Sequence, residues 1–221
     1  LGVLAAYTHR LRTGLGQRVD TSLFEAGITQ TYWQAAIALA TGVSPGPMGS
    51  AHPLNAPYQA FPTSDGWINV GAASQATWER LVDVVELPDL RKDARFRENQ
   101  DRMRNVAALV EILGPRFRDR TTAHWLAKLE AAGVPAGPVL TVGQMLEHPQ
   151  TRARGMVTEV THSRLGRVRT LGFPIRFTAT PSEVRRGAPV LGEHTREVLR
   201  EVGYDDKTIE QLNASSVIHC P

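Results

Sequence analysis

Seven histidines and a single cysteine are the side chains in this chain best suited to metal binding or to acid–base and nucleophilic chemistry. No two of the histidines stand four residues apart and no pair of cysteines accompanies them, so the spacing predicts no metal site. Cys220 adjoins the C-terminal Pro221, which argues against a catalytic thiol. One cysteine cannot form an internal disulfide, and we therefore expect a reducing, cytoplasmic environment. The histidines are His9, His52, His124, His148, His162, His194 and His219.

Common phosphate and nucleophile motifs are missing from the sequence. There is no G-x-x-x-x-G-K-[ST] loop and no G-x-S-x-G elbow, and the run from Gly14 to Gln17 lacks the third glycine of a dinucleotide fingerprint. Four segments combine glycine, proline and polar residues in other patterns. Each one alone is also explained by a local structural role, such as a helix end or a hairpin. The segments are 13–20, 57–66, 90–105 and 189–199.

The elements that must position these segments are of mixed type. Apolar residues recur at helical spacing, and the turns carry glycine or proline. Ser22 and Glu25 form a capping box, and Gly14 suits a left-handed helix end. The sequence predicts helices over 1–13, 23–40, 75–86, 100–118, 122–133, 193–202 and 206–213, with short helical pieces at 142–145 and 148–152. It predicts hairpins over 58–70 and 157–171, and an extended segment at 134–139.

Composition narrows the possible partners. The chain has 221 residues, 42% of them hydrophobic, and a formal net charge of +3. Its 25 basic residues are interleaved with 22 acidic ones, so we expect no nucleic-acid partner, although the basic excess favours an anionic ligand. No apolar run approaches the roughly 18–20 residues that a membrane span requires. We expect Tyr58, Trp67 and Trp78 in a core, the alternative being an aromatic set that faces the substrate, and we expect Trp33 in helix packing.

In their order and spacing, the four segments resemble the class III coenzyme A transferases. Thr13-Gly-Leu-Gly-Gln17, Gly133-Val-Pro-Ala-Gly-Pro-Val139 and the stretch from Pro189 to Leu199 carry the resemblance, which covers nearly the whole chain. It implies an enzyme with acyl-CoA and a carboxylic acid as substrates and no permanently bound cofactor. It also implies an α/β fold, with a Rossmann-like large domain, a smaller α+β domain, and two subunits interlocked as a homodimer. The expected division is 1–44 and 186–221 in the large domain, and 45–185 in the small one.

The resemblance also implies covalent catalysis. In the family an aspartate carboxylate attacks the acyl-CoA thioester, the anhydride is converted into an aspartyl-CoA thioester, and the acceptor acid then takes over the CoA. The nucleophilic aspartate stands just before the helix that opens this chain, so we expect it upstream of Leu1. Asp20 matches a different family position. We therefore expect no catalytic residue in this chain, and no activity from residues 1–221 alone.

The resemblance places a substrate-binding loop at Gly49, Ser50, Ala51 and His52. In formyl-CoA transferase the matching stretch is a run of glycines followed by Gln, whereas this chain has Met48-Gly-Ser-Ala-His-Pro53. Family members that use dicarboxylates commonly carry such a His-Pro. We expect His52 to donate a hydrogen bond to an acceptor carboxylate, and its alternative role is to cap the loop.

Two alternatives to a transferase remain open at this point. The family includes an α-methylacyl-CoA racemase branch, which needs an acid and a base on opposite faces of the substrate. That branch tends to carry an acidic residue after the first hairpin, whereas this chain has no carboxylate between Asp65 and Glu79. The second alternative is an inactive orphan fragment. In either a truncated enzyme or a fragment, the first two helices would expose apolar surface.

Overall fold

Contacts between Cα atoms divide the chain into two units, and the computed structural model describes every residue of both, from Leu1 to Pro221. Unit 1 comprises Leu1–Phe61, Val70–Phe117 and Ala127–Pro135. Unit 2 comprises Pro62–Asn69, Arg118–Leu126 and Ala136–Pro221. The division expected from the family, at residues 44/45 and 185/186, concerns a larger protein and stays a prediction.

Helices and two small sheets make up the fold, and the expected α/β class is confirmed. The helices are α1 (Gly2–Thr13), α2 (Leu23–Gln30), α3 (Tyr32–Thr41), α4 (Gln75–Val84), α5 (Asn99–Arg104), α6 (Val106–Arg118), α7 (Thr122–Ala131), α8 (Val142–Glu147), α9 (Pro149–Ala153), α10 (Thr195–Glu201) and α11 (Asp206–Ala214). A 3₁₀ turn covers Pro88–Arg91. None of the helices is long and apolar enough to cross a membrane.

The strands form both predicted hairpins. Strands β1 (Tyr58–Pro62), β2 (Trp67–Gly71) and β3 (Ala136–Pro138) make a sheet in the order β1-β2-β3. Strands β4 (Val157–His162) and β5 (Gly166–Leu171) pair antiparallel, with Val157 opposite Leu171 and His162 opposite Gly166. Alternating apolar and polar residues, joined by glycine-containing turns, specify this register.

Two predicted helix-end signals, the capping box of Ser22 and Glu25 and the left-handed Gly14, are confirmed, and two further helix ends show the same devices. Ser22 and Glu25 form the capping box of α2, and Asp205 caps α11. Gly14 and Gly42 end α1 and α3 with φ of 77° and 74°. A side chain with a Cβ is strained in this left-handed region, whereas glycine is not.

Two helices predicted as continuous are broken in the structure, and both breaks occur at polar side chains. The predicted helix 23–40 is interrupted at Thr31, whose backbone N–H and hydroxyl both donate to the carbonyl of Ile28. The predicted helix 100–118 is interrupted at Asn105, whose amide donates to the carbonyls of Asp101 and Arg95. Such side-chain bonds to the local backbone compete with the regular helical ladder.

The core of unit 1 draws buried side chains from β1, α4, α6 and the segment before α5. Its largest buried members in unit 1 are Trp78, Phe61, Phe96 and Phe117, and the rings of Phe61 and Phe117 stack at 4.9 Å. Burial of a side chain of this size stabilises the fold by about 1.5–3 kcal/mol. Tyr58 and Trp67 were expected in the core with Trp78, and this expectation is wrong. They are 38% and 51% exposed, because both face outward from the hairpin.

Arg102 is a charged member of the same core. Its guanidinium is fully buried 4.9 Å above the ring of Trp78, and burial lowers its pKa. The Nε atom donates to the carbonyl of Ala56 at 2.7 Å, and Nη1 donates to Gln75 and to the carbonyl of Phe96. Nη2 has no hydrogen-bond partner. The guanidinium has no carboxylate partner. Carbonyl acceptors and the face of the Trp78 ring compensate the free-energy cost of burying its charge.

Helices α1, α2 and α3 contain no buried residue. Their large apolar side chains are exposed, with Leu4 at 66%, Leu23 at 94% and Leu39 at 89%. The apolar surface expected on these first helices is therefore present. A patch of this kind on a folded protein marks a contact surface.

Asp65, in the turn between β1 and β2, caps the first turn of α7. Its Oδ1 atom accepts hydrogen bonds from the backbone N–H of Thr122 at 2.8 Å, from the Thr122 hydroxyl at 2.9 Å and from the Thr63 hydroxyl at 3.2 Å. These bonds, those from Thr122 above all, lower the pKa of the Asp65 carboxyl below its ordinary 3.8. The Asp-Gly pair therefore both makes the turn and positions a helix.

Substitution of Asp65 with alanine should lower the melting temperature by a few degrees at pH 7, because α7 loses its cap. A carboxyl with a lowered folded pKa contributes its stabilisation above the ordinary value of 3.8 and loses it as the pH falls through the folded value. The difference in melting temperature between wild type and Asp65→Ala should therefore shrink below pH 3.8. Glu130→Ala, at an exposed position of α7, is the control. A difference that stays constant across this range would contradict the assignment.

Candidate functional site

The four residues predicted to bind substrate lie together in one loop, residues 48–58, which we call the His52 loop. The loop is closed by its own backbone: the N–H of His52 donates to the carbonyl of Tyr58 at 2.9 Å, and that of Ala51 to Met48 at 3.1 Å. The Ser50 hydroxyl accepts a hydrogen bond from the N–H of Ala60 at 3.0 Å. These contacts fix the loop against the start of β1.

Two aromatic rings surround the imidazole of His52. It stacks on Tyr58, with centroids 5.1 Å apart and planes 11° from parallel. The ring of Trp33, on α3, meets it edge-on at 5.4 Å and 76°. One ring stacked on the imidazole and a second ring in edge contact with it leave the imidazole little freedom to tilt.

The His52 ring borders a cleft of about 340 Å³, which we call the His52 cleft. No carboxylate, lysine or arginine is among the residues on its walls. The Ser50 hydroxyl accepts a hydrogen bond from the N–H of Ala60 and still carries a proton that it can donate to a ligand. The walls therefore suit a ligand that presents hydrogen-bond acceptors. The lining residues are Trp33, Gln34, Ser50, Ala51, His52, Pro53 and Tyr58.

The hydrogen bonds of His52 determine which ring nitrogen carries the proton. Its Nδ1 atom accepts from the backbone N–H of Leu54 at 3.0 Å, and the Asn55 amide nitrogen lies 3.3 Å from the same atom. A nitrogen that accepts cannot also carry a proton, so in the neutral ring the proton is on Nε2. Nε2–H is thereby free to donate to a ligand.

The structure brings together three of the four predicted residues at the cleft and adds others. Ser50, Ala51 and His52 line the cleft, whereas Gly49 shapes the loop with φ of 58° and is not among the lining residues. Sequence reasoning missed Gln34 and preferred a core position for Tyr58 over one facing the substrate. It also assigned Trp33 to helix packing, which is wrong because Trp33 is 39% exposed and contacts His52. The sequence feature that indicates Tyr58 is its position, because it is the aromatic residue at which the His52 loop ends and β1 begins.

Other side chains considered in the sequence lie away from this cleft. The Asp20 carboxylate is exposed and paired with Arg18 in the segment after α1. No group of three or more His, Cys, Asp or Glu side chains could hold a metal ion. Unit 2 has a separate depression of about 310 Å³, lined mainly by Leu146, Val157 and Leu171, and its one charged member, Arg169, is paired with Glu147.

Known proteins resemble this chain over nearly its full length. The family model "CoA-transferase family III" matches residues 1–195. Succinyl-CoA:glutarate CoA-transferase of Mus musculus is 33% identical over 217 residues, which are 98% of this chain and 50% of the mouse protein. Acetyl-CoA:oxalate CoA-transferase of Acetobacter aceti is 35% identical over 204 residues, which are 90% of this chain and 50% of that protein.

Solved structures show the same relationship. The crystal structure of a CAIB/BAIF family protein from Brucella suis superposes with a TM-score of 0.73 and 36% sequence identity. The match covers 90% of this chain and 52% of the Brucella chain. This chain thus spans about half the length of the curated relatives and of the solved structure that it matches.

Proposed function

We propose, because the chain belongs to CoA-transferase family III, that it supplies the acceptor-binding part of an enzyme that moves coenzyme A from an acyl-CoA thioester to a carboxylic acid. The observation that carries the proposal is the His52 cleft. Its walls offer the Nε2–H of His52, the Ser50 hydroxyl and the Gln34 amide, with no carboxylate to repel an anion. Coenzyme A and the acids enter as substrates, with no permanently bound cofactor.

The acceptor in this proposal is a dicarboxylate. The mouse and Acetobacter relatives are named for glutarate and oxalate, which are both dicarboxylates. One carboxylate must reach the reacting centre, and the other needs hydrogen-bond donors away from it. Donors of the His52 cleft fit the second task, because a hydrogen bond from a neutral donor to a carboxylate is stronger than one between neutral groups.

The reaction we propose uses an aspartate outside these 221 residues as the nucleophile, N-terminal to Leu1. The carboxylate attacks the acyl-CoA carbonyl and expels the thiolate of CoA, which leaves an aspartyl–acyl anhydride. The thiolate then attacks the aspartyl carbonyl of this anhydride, so that the donor acid departs as its carboxylate and an aspartyl-CoA thioester remains. Residues of this chain orient the acceptor acid for its attack on that thioester. We prefer transfer to epimerisation because the His52 cleft presents no pair of an acid and a base for abstraction of an α-proton.

Residues 1–221 alone should show no CoA transfer, whereas the protein at the full length that its gene encodes should transfer CoA to glutarate or oxalate. The assay follows formation of the acceptor's CoA thioester by chromatography, with several acyl-CoA donors. Transfer by residues 1–221 alone would refute the proposed division of labour, because the nucleophile would then lie within this chain.

Substitution of His52 with alanine in the full-length protein should raise the KM for the acceptor about tenfold, as expected for loss of one hydrogen bond to a charged group. The KM for the acyl-CoA donor should change little. His52→Gln keeps an N–H donor and should lie between the two. His148→Ala is the matched control, because its Nδ1 also accepts the backbone N–H two residues on, in unit 2. An acceptor KM equal to that of wild type would exclude His52 from acceptor binding.

The exposed apolar side chains of α1 to α3 outside the His52 cleft support a further part of the proposal, an interlocked homodimer in which these side chains are covered. We also propose that the protein is cytoplasmic, consistent with its one free cysteine, Cys220. Light scattering after size exclusion should give twice the mass of the full-length chain, and cell fractionation should recover the protein with cytosolic markers. A monomeric mass, or recovery outside the cytosol, would contradict the respective statement.

A further inference from the structure

We infer that Asn99 is a positioning residue for His52: it holds the backbone beside the ring so that Nδ1 accepts and Nε2–H points out as the donor. The inference rests on the function proposed for His52, because it assigns to Asn99 control of that donor. Asn99 is the first residue of α5, on an element that does not line the His52 cleft.

The Asn99 side chain bridges two peptide groups of the His52 loop. Its Nδ2 atom donates to the carbonyl of Leu54 at 2.8 Å, and its Oδ1 atom accepts from the N–H of Ala56 at 3.1 Å. The carbonyl of Ala56 accepts in turn from Nε of the buried Arg102 at 2.7 Å. Two side chains of α5 therefore hold three consecutive peptide groups of the loop, those that follow Leu54, Asn55 and Ala56.

The peptide group that comes just before these three is the one that fixes His52. The N–H of Leu54 donates to Nδ1 of His52, and the carbonyl of the same residue accepts from Asn99. The carbonyl and the N–H of Leu54 belong to adjacent peptide groups joined at its Cα, so the bond from Asn99 restrains the position of that N–H beside the ring. Without Asn99, residues 54–56 lose two of the three side-chain hydrogen bonds to their backbone. The N–H of Leu54 is then held less firmly, and the Asn55 amide is the other donor near Nδ1.

An asparagine meets this requirement because its amide carries a donor and an acceptor on adjacent atoms. An aspartate could still accept from Ala56, but it would place a second oxygen against the carbonyl of Leu54. An alanine would leave both backbone groups to water or unpaired. The position is half-buried, so water can replace these bonds without unfolding the domain.

The direct experiment measures the protonation of the His52 ring nitrogens by ¹H–¹⁵N NMR of the full-length protein labelled with ¹⁵N-histidine. The His52→Ala spectrum identifies the His52 signals. In the neutral wild-type ring the proton should be on Nε2 alone. In Asn99→Ala, the two ring nitrogens should share the proton in a mixture of tautomers.

Kinetics supply the second readout. Asn99→Ala should raise the acceptor KM about fivefold and leave the donor KM within about twofold, and Asn99→Asp should show the same direction. Asn105→Ala is the matched control, since Asn105 also makes two side-chain bonds to the backbone in unit 1, here by donating to the carbonyls of Arg95 and Asp101. It makes no bond to the His52 loop, so its loss should reduce stability without moving either KM.

The outcomes separate this inference from the proposed function. A wild-type His52 with its proton on Nδ1, or an unchanged tautomer in Asn99→Ala, overturns the inference even if His52→Ala raises the acceptor KM. A mixed tautomer in Asn99→Ala, together with no kinetic effect of His52→Ala, supports the positioning and removes the proposed function. If Asn99→Ala fails to fold, the wild-type tautomer and Asn99→Asp still decide the question.

Discussion

The hydrogen bond from the N–H of Leu54 to Nδ1 of His52 is the constraint on which the chemistry of this chain depends. It converts an amphoteric ring into a donor with one free N–H, in a cleft that contains no carboxylate. The stack on Tyr58 and the edge contact with Trp33 hold the same ring against tilting. Together they prepare the donor before a ligand arrives, which reduces the entropic cost of binding.

The support for this arrangement reaches from the cleft into the core of unit 1. Arg102 is buried against Trp78 and donates a hydrogen bond to the carbonyl of Ala56. The packing of α5 against α4 therefore holds the last residues of the His52 loop in place. A buried cation is costly unless its donors are used, and here the loop's backbone supplies one of the acceptors. The rigid element is therefore the core, and the functional side chain lies on a loop anchored to it.

Much of the fold could be predicted from the sequence because its signals are local. The capping box of Ser22, the left-handed glycines and the two hairpins each depend on a few neighbouring residues. The breaks at Thr31 and Asn105 could not be predicted so readily, because a polar side chain inside a helical pattern can either face solvent or bond to the backbone. The hydrogen bond from the N–H of Thr122 to the Asp65 carboxylate joins residues 57 positions apart, and no local sequence pattern reveals it.

The candidate site was predictable only in part, and for the same reason. The resemblance to a family identified the loop from Gly49 to His52, because those residues are contiguous in the sequence. Trp33 was expected in helix packing and Tyr58 in a core, because large aromatic side chains are well buried on average, and only tertiary structure shows both rings against His52. Asn99 lies 45 residues beyond the carbonyl it holds, so its role emerges only from the folded chain.

A crystal structure of the full-length protein with a bound acceptor dicarboxylate would test the central claim most directly. The distance to measure joins Nε2 of His52 to the nearest carboxylate oxygen. The account predicts about 2.7–2.9 Å, the length of a hydrogen bond to a charged acceptor, with Nδ1 still bound to the N–H of Leu54. A dicarboxylate bound elsewhere, with Nε2 of His52 facing solvent, would contradict it.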